Sequence, residues 1–141
     1  MKVRIVGVLI AAGLLLAGGV TYAHHSFAAE FDATKPLTLK GMVTKVEWVN
    51  PHVWIYINVK DDAGKVTNWG AEMGPPHGLQ RRGWRRDTLK IGEEVSVTGS
   101  MAKNGTKRMN ARTVTLTSTG GRPGETLGAA SSEGEGAGQS Q

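Results

Sequence analysis

The stretch His52–Lys60 (HVWIYINVK) constrains this chain more than any other. Val53, Ile55, Ile57 and Val59 fall on one parity, and His52, Trp54, Tyr56 and Asn58 on the other. Strict alternation of this kind is the signature of a strand with one buried face. Asp61–Gly64 follows as a hairpin-length turn with its glycine last. Lys65–Met73 reads as the return strand, with Trp69, Ala71 and Met73 on one side. A chain with such a hairpin at its centre folds around an antiparallel sheet.

The neighbouring segments extend the pattern. Leu37–Asn50 reads as a long strand in which Leu37, Leu39, Gly41 and Val43 share a face, while Val46 and Trp48 fall on the other parity. One change of phase in a period-2 pattern implies a bulge or a sharp bend. Asn50-Pro51 ends that strand, because proline cannot donate to a ladder. Gly78–Arg86 reads as a short helix or irregular turn. Glu93–Met101 and Arg108–Thr117 are two further strands, joined through the Asn104-Gly105 turn signal. Val95, Val97, Val114 and Leu116 are core candidates. The order is three strands, a short helical link and two strands, with a long bent first strand. That order predicts an all-β fold, a small five-stranded OB-like barrel with one short helix between strands 3 and 4. An open β-sandwich is the alternative.

Both ends read differently from the middle. Lys2 and Arg4 precede an apolar run over Ile5–Val20, and Thr21-Tyr22-Ala23 is a small-x-small cleavage pattern, so residues 1–23 are expected to be a signal peptide. The apolar run is shorter than the ~20 residues of a spanning helix, so no stable membrane span is expected after cleavage. The mature product is expected to be periplasmic or secreted. Residues 24–117 then form the domain, led in by an arm in which Phe27 and Phe31 lie one helical turn apart. Residues 118–141, rich in Gly, Ser and Glu, are expected to be a disordered tail. The chain has no cysteine, which excludes disulfides and any thiolate site. It carries 17 basic and 12 acidic side chains. Losing Lys2 and Arg4 leaves 15 against 12, a net +3 that does not in itself imply a polyanion partner.

The runs His24–Asp32 (HHSFAAEFD), Val46–Trp54 (VEWVNPHVW), Asn68–Gly74 (NWGAEMG), Arg81–Arg85 (RRGWR) and Leu89–Gly92 (LKIG) together resemble a family of exported proteobacterial proteins catalogued as a domain of unknown function. The resemblance spans His24 to Val114. It implies export and a small β-rich domain, and supplies no activity or site.

Three constellations could carry chemistry. Cleavage after Ala23 would leave His24 with a free α-amine beside its imidazole, a chelate that suits Cu(II) once a third nitrogen is added. His52, at the start of a rigid strand, is the best third donor, with His25 and His77 in reserve. Copper is thus the one cofactor the residues suggest; the plainer reading is a solvated start to the chain. A softer Cu(I) variant would use Met42, Met73, Met101 or Met109, which more often fill core gaps. Trp54 and Tyr56 could stack on a planar or sugar-like ligand, or could be covered by the arm. Arg81, Arg82, Arg85 and Arg86 around Trp84 could grip an anionic group, or could be a solvated run with Trp84 capping one end of the core. Export argues against nucleic acid and for a small anionic ligand or an envelope protein. No nucleophile elbow, phosphate loop or zinc-protease motif is present, so no catalysis is expected. The expected function is a non-catalytic binding or accessory module, with copper binding through His24 and His52 as the alternative.

Overall fold

The computed structural model describes residues 27–117 and 124–130. The expected signal segment, His24 and His25 lie outside these residues. The fold is all-β, as the alternation requires. The strands are β1 (Phe31–Glu47), β2 (Trp54–Lys60), β3 (Val66–Glu72), β4 (Glu94–Ala102), β5 (Arg108–Leu116) and β6 (Thr126–Gly128). One helix, α1 (Pro76–Arg81), links β3 to β4, and residues 27–30 form a helical turn ahead of β1. No described helix is long and apolar enough to cross a membrane.

The strands form one sheet of order β3-β2-β1-β4-β5-β6, with an additional parallel pairing of β3 to β5. The path β1–β2–β3–β5–β4 therefore returns to β1, so each of these five strands has at least two hydrogen-bonded neighbours, and β5 has a third in β6. The side chains inside this ring are those the alternation selects. Val53, Ile55, Ile57, Trp69, Ala71, Met73, Val95, Val97, Val114 and Leu116 are all buried. Met109 and Ala111 on β5 join them.

The phase slip in β1 is a register shift between Val43 and Lys45 against β2. Thr44, the residue it leaves over, accepts from Asn68 Nδ2 at 3.0 Å and donates to the Tyr56 carbonyl at 3.2 Å, so the bulge is tied to the neighbouring strands. Gly41 stands where a Cβ would meet the Asn58 carbonyl oxygen at 2.5 Å, which accounts for a glycine in this tightly coiled stretch.

Two expectations need correction. The strands number six, not five, and β1 starts six residues before Leu37. Its early part, Phe31–Asp32, pairs with Ala102–Met101 across an irregularity that ends at Pro36. Asp32 caps that irregularity by accepting from the Thr34 amide and hydroxyl at 3.0 and 2.6 Å. The sixth strand comes from the stretch expected to be disordered. Thr126–Gly128 pairs with Thr113–Thr115, and Ala129 and Ala130 are buried. Composition hid this because the segment packs a single large side chain, Leu127, against the core and otherwise buries small residues and backbone. Gly74 makes room for it: a Cβ there would lie 2.0 Å from the Ala130 carbonyl oxygen.

Candidate functional site

The polar face of β2 faces outward, as its parity demands. Trp54 and Tyr56 are half-buried on it, with ring centroids 6.4 Å apart and planes 25° from parallel. Tyr56 pairs across the ladder with Gly70, and Trp54 with Glu72. Because Gly70 has no side chain, the two rings lie low over β3: a Cβ there would be 3.4 Å from Tyr56 Cε1 and 3.6 Å from Trp54 Cε3. Beyond Gly70 the parallel pairing puts Arg108 of β5 in register. Its guanidinium lies over the Trp54 ring, 4.5 Å from the centroid. Trp54, Tyr56, Asn68, Gly70, Lys107 and Arg108 line a groove of about 270 Å³.

Charge is arranged around these rings. Lys45 Nζ stands 5.3 Å from the centroid of Tyr56 and pairs with Glu47. The Tyr56 hydroxyl donates to Glu47 Oε2 at 2.9 Å. The hydrogen bonds from Lys45 and Tyr56 hold the Glu47 carboxyl below the usual range. Burial, with the bond to Glu47 and that carboxylate's charge, pushes the Tyr56 phenol up, against the pull of Lys45 and Arg108. Asn68 fixes the far wall through a 2.8 Å bond to Asn58 Oδ1.

Next to the groove, Nδ1 of His52 bonds Oε1 of the buried Glu72. Burial pushes the Glu72 carboxyl up, the neighbouring His52 pulls it back, and Glu30 from the entering turn adds to the rise. Asn110 lies in register with Glu72 on β5 and is 3% exposed. Its Oδ1 is buried with no hydrogen-bond partner among the described residues. No three His, Asp or Glu groups converge as a metal set among the described residues.

The sequence-derived binding residues divide between two places. Trp54 and Tyr56 meet in the groove, where neither Arg81, Arg82 nor Arg85 is among the lining residues. These arginines are exposed on α1 and the loop after it. Trp84 is not a ligand-facing aromatic: it is 2% exposed and its indole N–H donates to the Gly128 carbonyl at 2.9 Å. It caps the core and anchors β6. Phe27 stacks on Phe31 at 5.8 Å, and the ring and cation partners of Trp54 are Tyr56 and Arg108. Sequence reading missed Arg108, Lys107 and Gly70. The outward parity of Arg108 beside the buried Met109 was visible in the sequence; its placement opposite Gly70 depends on the β3–β5 pairing, which no local pattern encodes.

A profile of the family of unknown function DUF6152 matches residues 12–111. The chain belongs to that family. The matched span holds β1 to β4, α1, the rings of the groove, Arg108 and the His52–Glu72 pair; β6 lies outside it. No curated protein matches the chain.

Proposed function

We propose that the domain is a non-catalytic binding module of an exported protein, an OB-like barrel whose ligand lies in the groove over β2, β3 and β5. The closed path of strand pairings supports the barrel, and on OB barrels the face around strands 2 and 3 commonly takes ligands. The observation that carries the reading is the pair of half-buried rings over Gly70 with the Arg108 guanidinium upon one of them. Stacked rings suit the flat face of a sugar or aryl ring. Arg108 and Lys107 beside them suit a carboxylate, sulfate or phosphate on that ring. A groove of about 270 Å³ takes a ligand of one or two rings. The leader-like first 23 residues support a periplasmic or secreted location.

The experiment is amide and indole shift mapping by NMR with two acidic probes, digalacturonate and salicylate, and their neutral counterparts, galactose and phenol. The reading expects shifts at the Trp54 indole N–H and the Arg108 amide that the acidic probes produce at lower concentration. Shifts with no preference for the acidic probes would contradict the part assigned to Arg108 and Lys107; no shift at Trp54 with any probe would contradict the groove.

A further inference from the structure

We propose that the groove's ligand is an acidic pyranose, a uronic-acid sugar, whose ring hydroxyls donate to Glu72 and His52 while its carboxylate lies on Arg108 and Lys107. The inference rests on the groove reading and narrows it: of the two flat ligands that reading admits, it selects the sugar over the aryl acid.

Strand register gives the groove two ends. Trp54, Glu72 and Asn110 form one row across β2, β3 and β5, and Tyr56, Gly70 and Arg108 form the next. The rows lie about 7 Å apart, two residues along a strand. Lys107 and Asn68 line the groove beyond the second row. Cations therefore stand at one end. The other end is acidic: Glu72 lies directly across from Trp54, and Glu30 adds its negative charge there. Arg108 joins the two ends, since its guanidinium lies over the Trp54 ring and its charge draws the Glu72 carboxyl down.

The acidic end holds acceptors that the fold leaves over. His52 Nδ1 takes Glu72 Oε1, and neither His52 Nε2 nor Glu72 Oε2 has a hydrogen-bond partner among the described residues. The two side chains are 35% and 12% exposed, so a ligand can reach them. With Nδ1 donating, Nε2 of the neutral ring accepts, as does the second carboxylate oxygen. Asn110 Oδ1, in the same row, is buried with no partner among the described residues. It lies too deep to meet a ligand, and its presence means that the row carries more acceptors than the fold itself uses. Acceptors at the edge of a stacking ring select a ligand whose own edge bears donors. An aryl acid such as salicylate brings a flat face and a carboxylate but a single hydroxyl. A pyranose acid brings several hydroxyls on the side of the ring away from its carboxylate. The reverse orientation would set that carboxylate against Glu72 and Glu30, so charge fixes which way the sugar lies.

The test compares galacturonate with tetrahydropyran-2-carboxylate, the same ring and acid stripped of hydroxyls, in NMR titrations of the full chain read at the Trp54 indole N–H and the Arg108 amide. Galacturonate should bind about tenfold tighter, the effect of one or two hydroxyl bonds, and should move the His52 ring nitrogens, which the stripped acid leaves still. Glu72→Gln should narrow that gap to about threefold or less without weakening binding of the stripped acid. His52→Asn, which keeps a donor for Glu72 and removes Nε2, should narrow the gap as well. Arg108→Ala should weaken both acids alike. Equal binding of the two acids with Trp54 moving, tighter binding of salicylate than of galacturonate, or an undiminished gap in both variants would overturn the sugar assignment and leave the groove reading standing. No movement at Trp54 with either acid or with salicylate would overturn the groove reading, and this inference with it.

Discussion

Two segments of this domain set a tryptophan among cations, and the fold uses them in opposite ways. In residues 81–86 the arginines adjoin Trp84 in sequence, yet the ring turns inward, 2% exposed, and the arginines stay exposed on the surface. In the groove no cation adjoins Trp54 in sequence, yet Arg108 lies over its ring from a strand more than fifty residues away. Proximity along the chain made the first look like a binding site. Strand pairing gives the second the make-up of the proposed groove site. An aromatic–cation cluster is more telling when the fold assembles it across strands, because an exposed loop run has solubility as sufficient reason to exist.

The sharpest way to break the comparison is to remove each tryptophan. Trp84→Ala should cost about 3–5 kcal/mol in denaturant unfolding, the range for a buried large aromatic. Trp54→Ala should cost much less stability and remove most binding of an acidic ring probe, on the order of tenfold to a hundredfold, from the ~1–3 kcal/mol typical of a stacking ring. Equal stability losses would erase the distinction. Ending the chain at Thr117 sharpens it from the other side. The Trp84 indole would lose the Gly128 carbonyl, and the loss should be about 1–3 kcal/mol for that group alone. An unchanged melt would mean that β6 contributes nothing to the core.

Arg108→Ala should weaken acidic-probe binding by about fivefold to thirtyfold, matching the ~1–2 kcal/mol of a partly desolvated cation over a ring, and the loss should shrink as salt is raised. Acid titration gives a smaller effect with a defined sign. Asp32, Glu47 and Glu94 all have carboxyls held below their usual range, chiefly by hydrogen bonds from Thr34, Lys45 and Lys40 respectively. Their contribution is present above the ordinary carboxylate value of about 4 and is lost as pH falls through the lowered folded values. Glu72 runs the other way: its raised folded value makes its contribution decline as pH rises from the ordinary value through the raised one. Glu47→Gln should therefore flatten the acid limb slightly, and Glu72→Gln should not. The smallest effect belongs to the loop. Arg81→Ala with Arg85→Ala should change stability by under about 0.5 kcal/mol and leave groove binding unmoved.

Much of the fold was legible because the core obeys period 2. Val53, Ile55 and Ile57, the β1 phase slip and the helical link before β4 all follow from local pattern. β6 was not legible, since Leu127 is its one large apolar side chain, too little for a period-2 pattern, and the segment is held by backbone pairing and the close approach at Gly74. The candidate site was legible only by half. The parity of β2 exposed Trp54 and Tyr56, but the cations that complete their surroundings come from β1 and β5 through pairings between distant segments. For Trp84 the sequence left two readings open, a grip on an anion and a cap on the core, because its neighbours are charged and the direction its ring takes is decided by the loop that follows α1.

The most direct test of the account is shift mapping of the processed domain with digalacturonate, reading the indole N–H signals of Trp54 and Trp84 and the amides of Arg85 and Arg108 together. The account predicts saturable movement at Trp54 and Arg108, abolished by Arg108→Ala, with Trp84 and Arg85 still. Movement centred on Arg85, with Trp54 unchanged, would contradict it and return the binding role to the arginine loop.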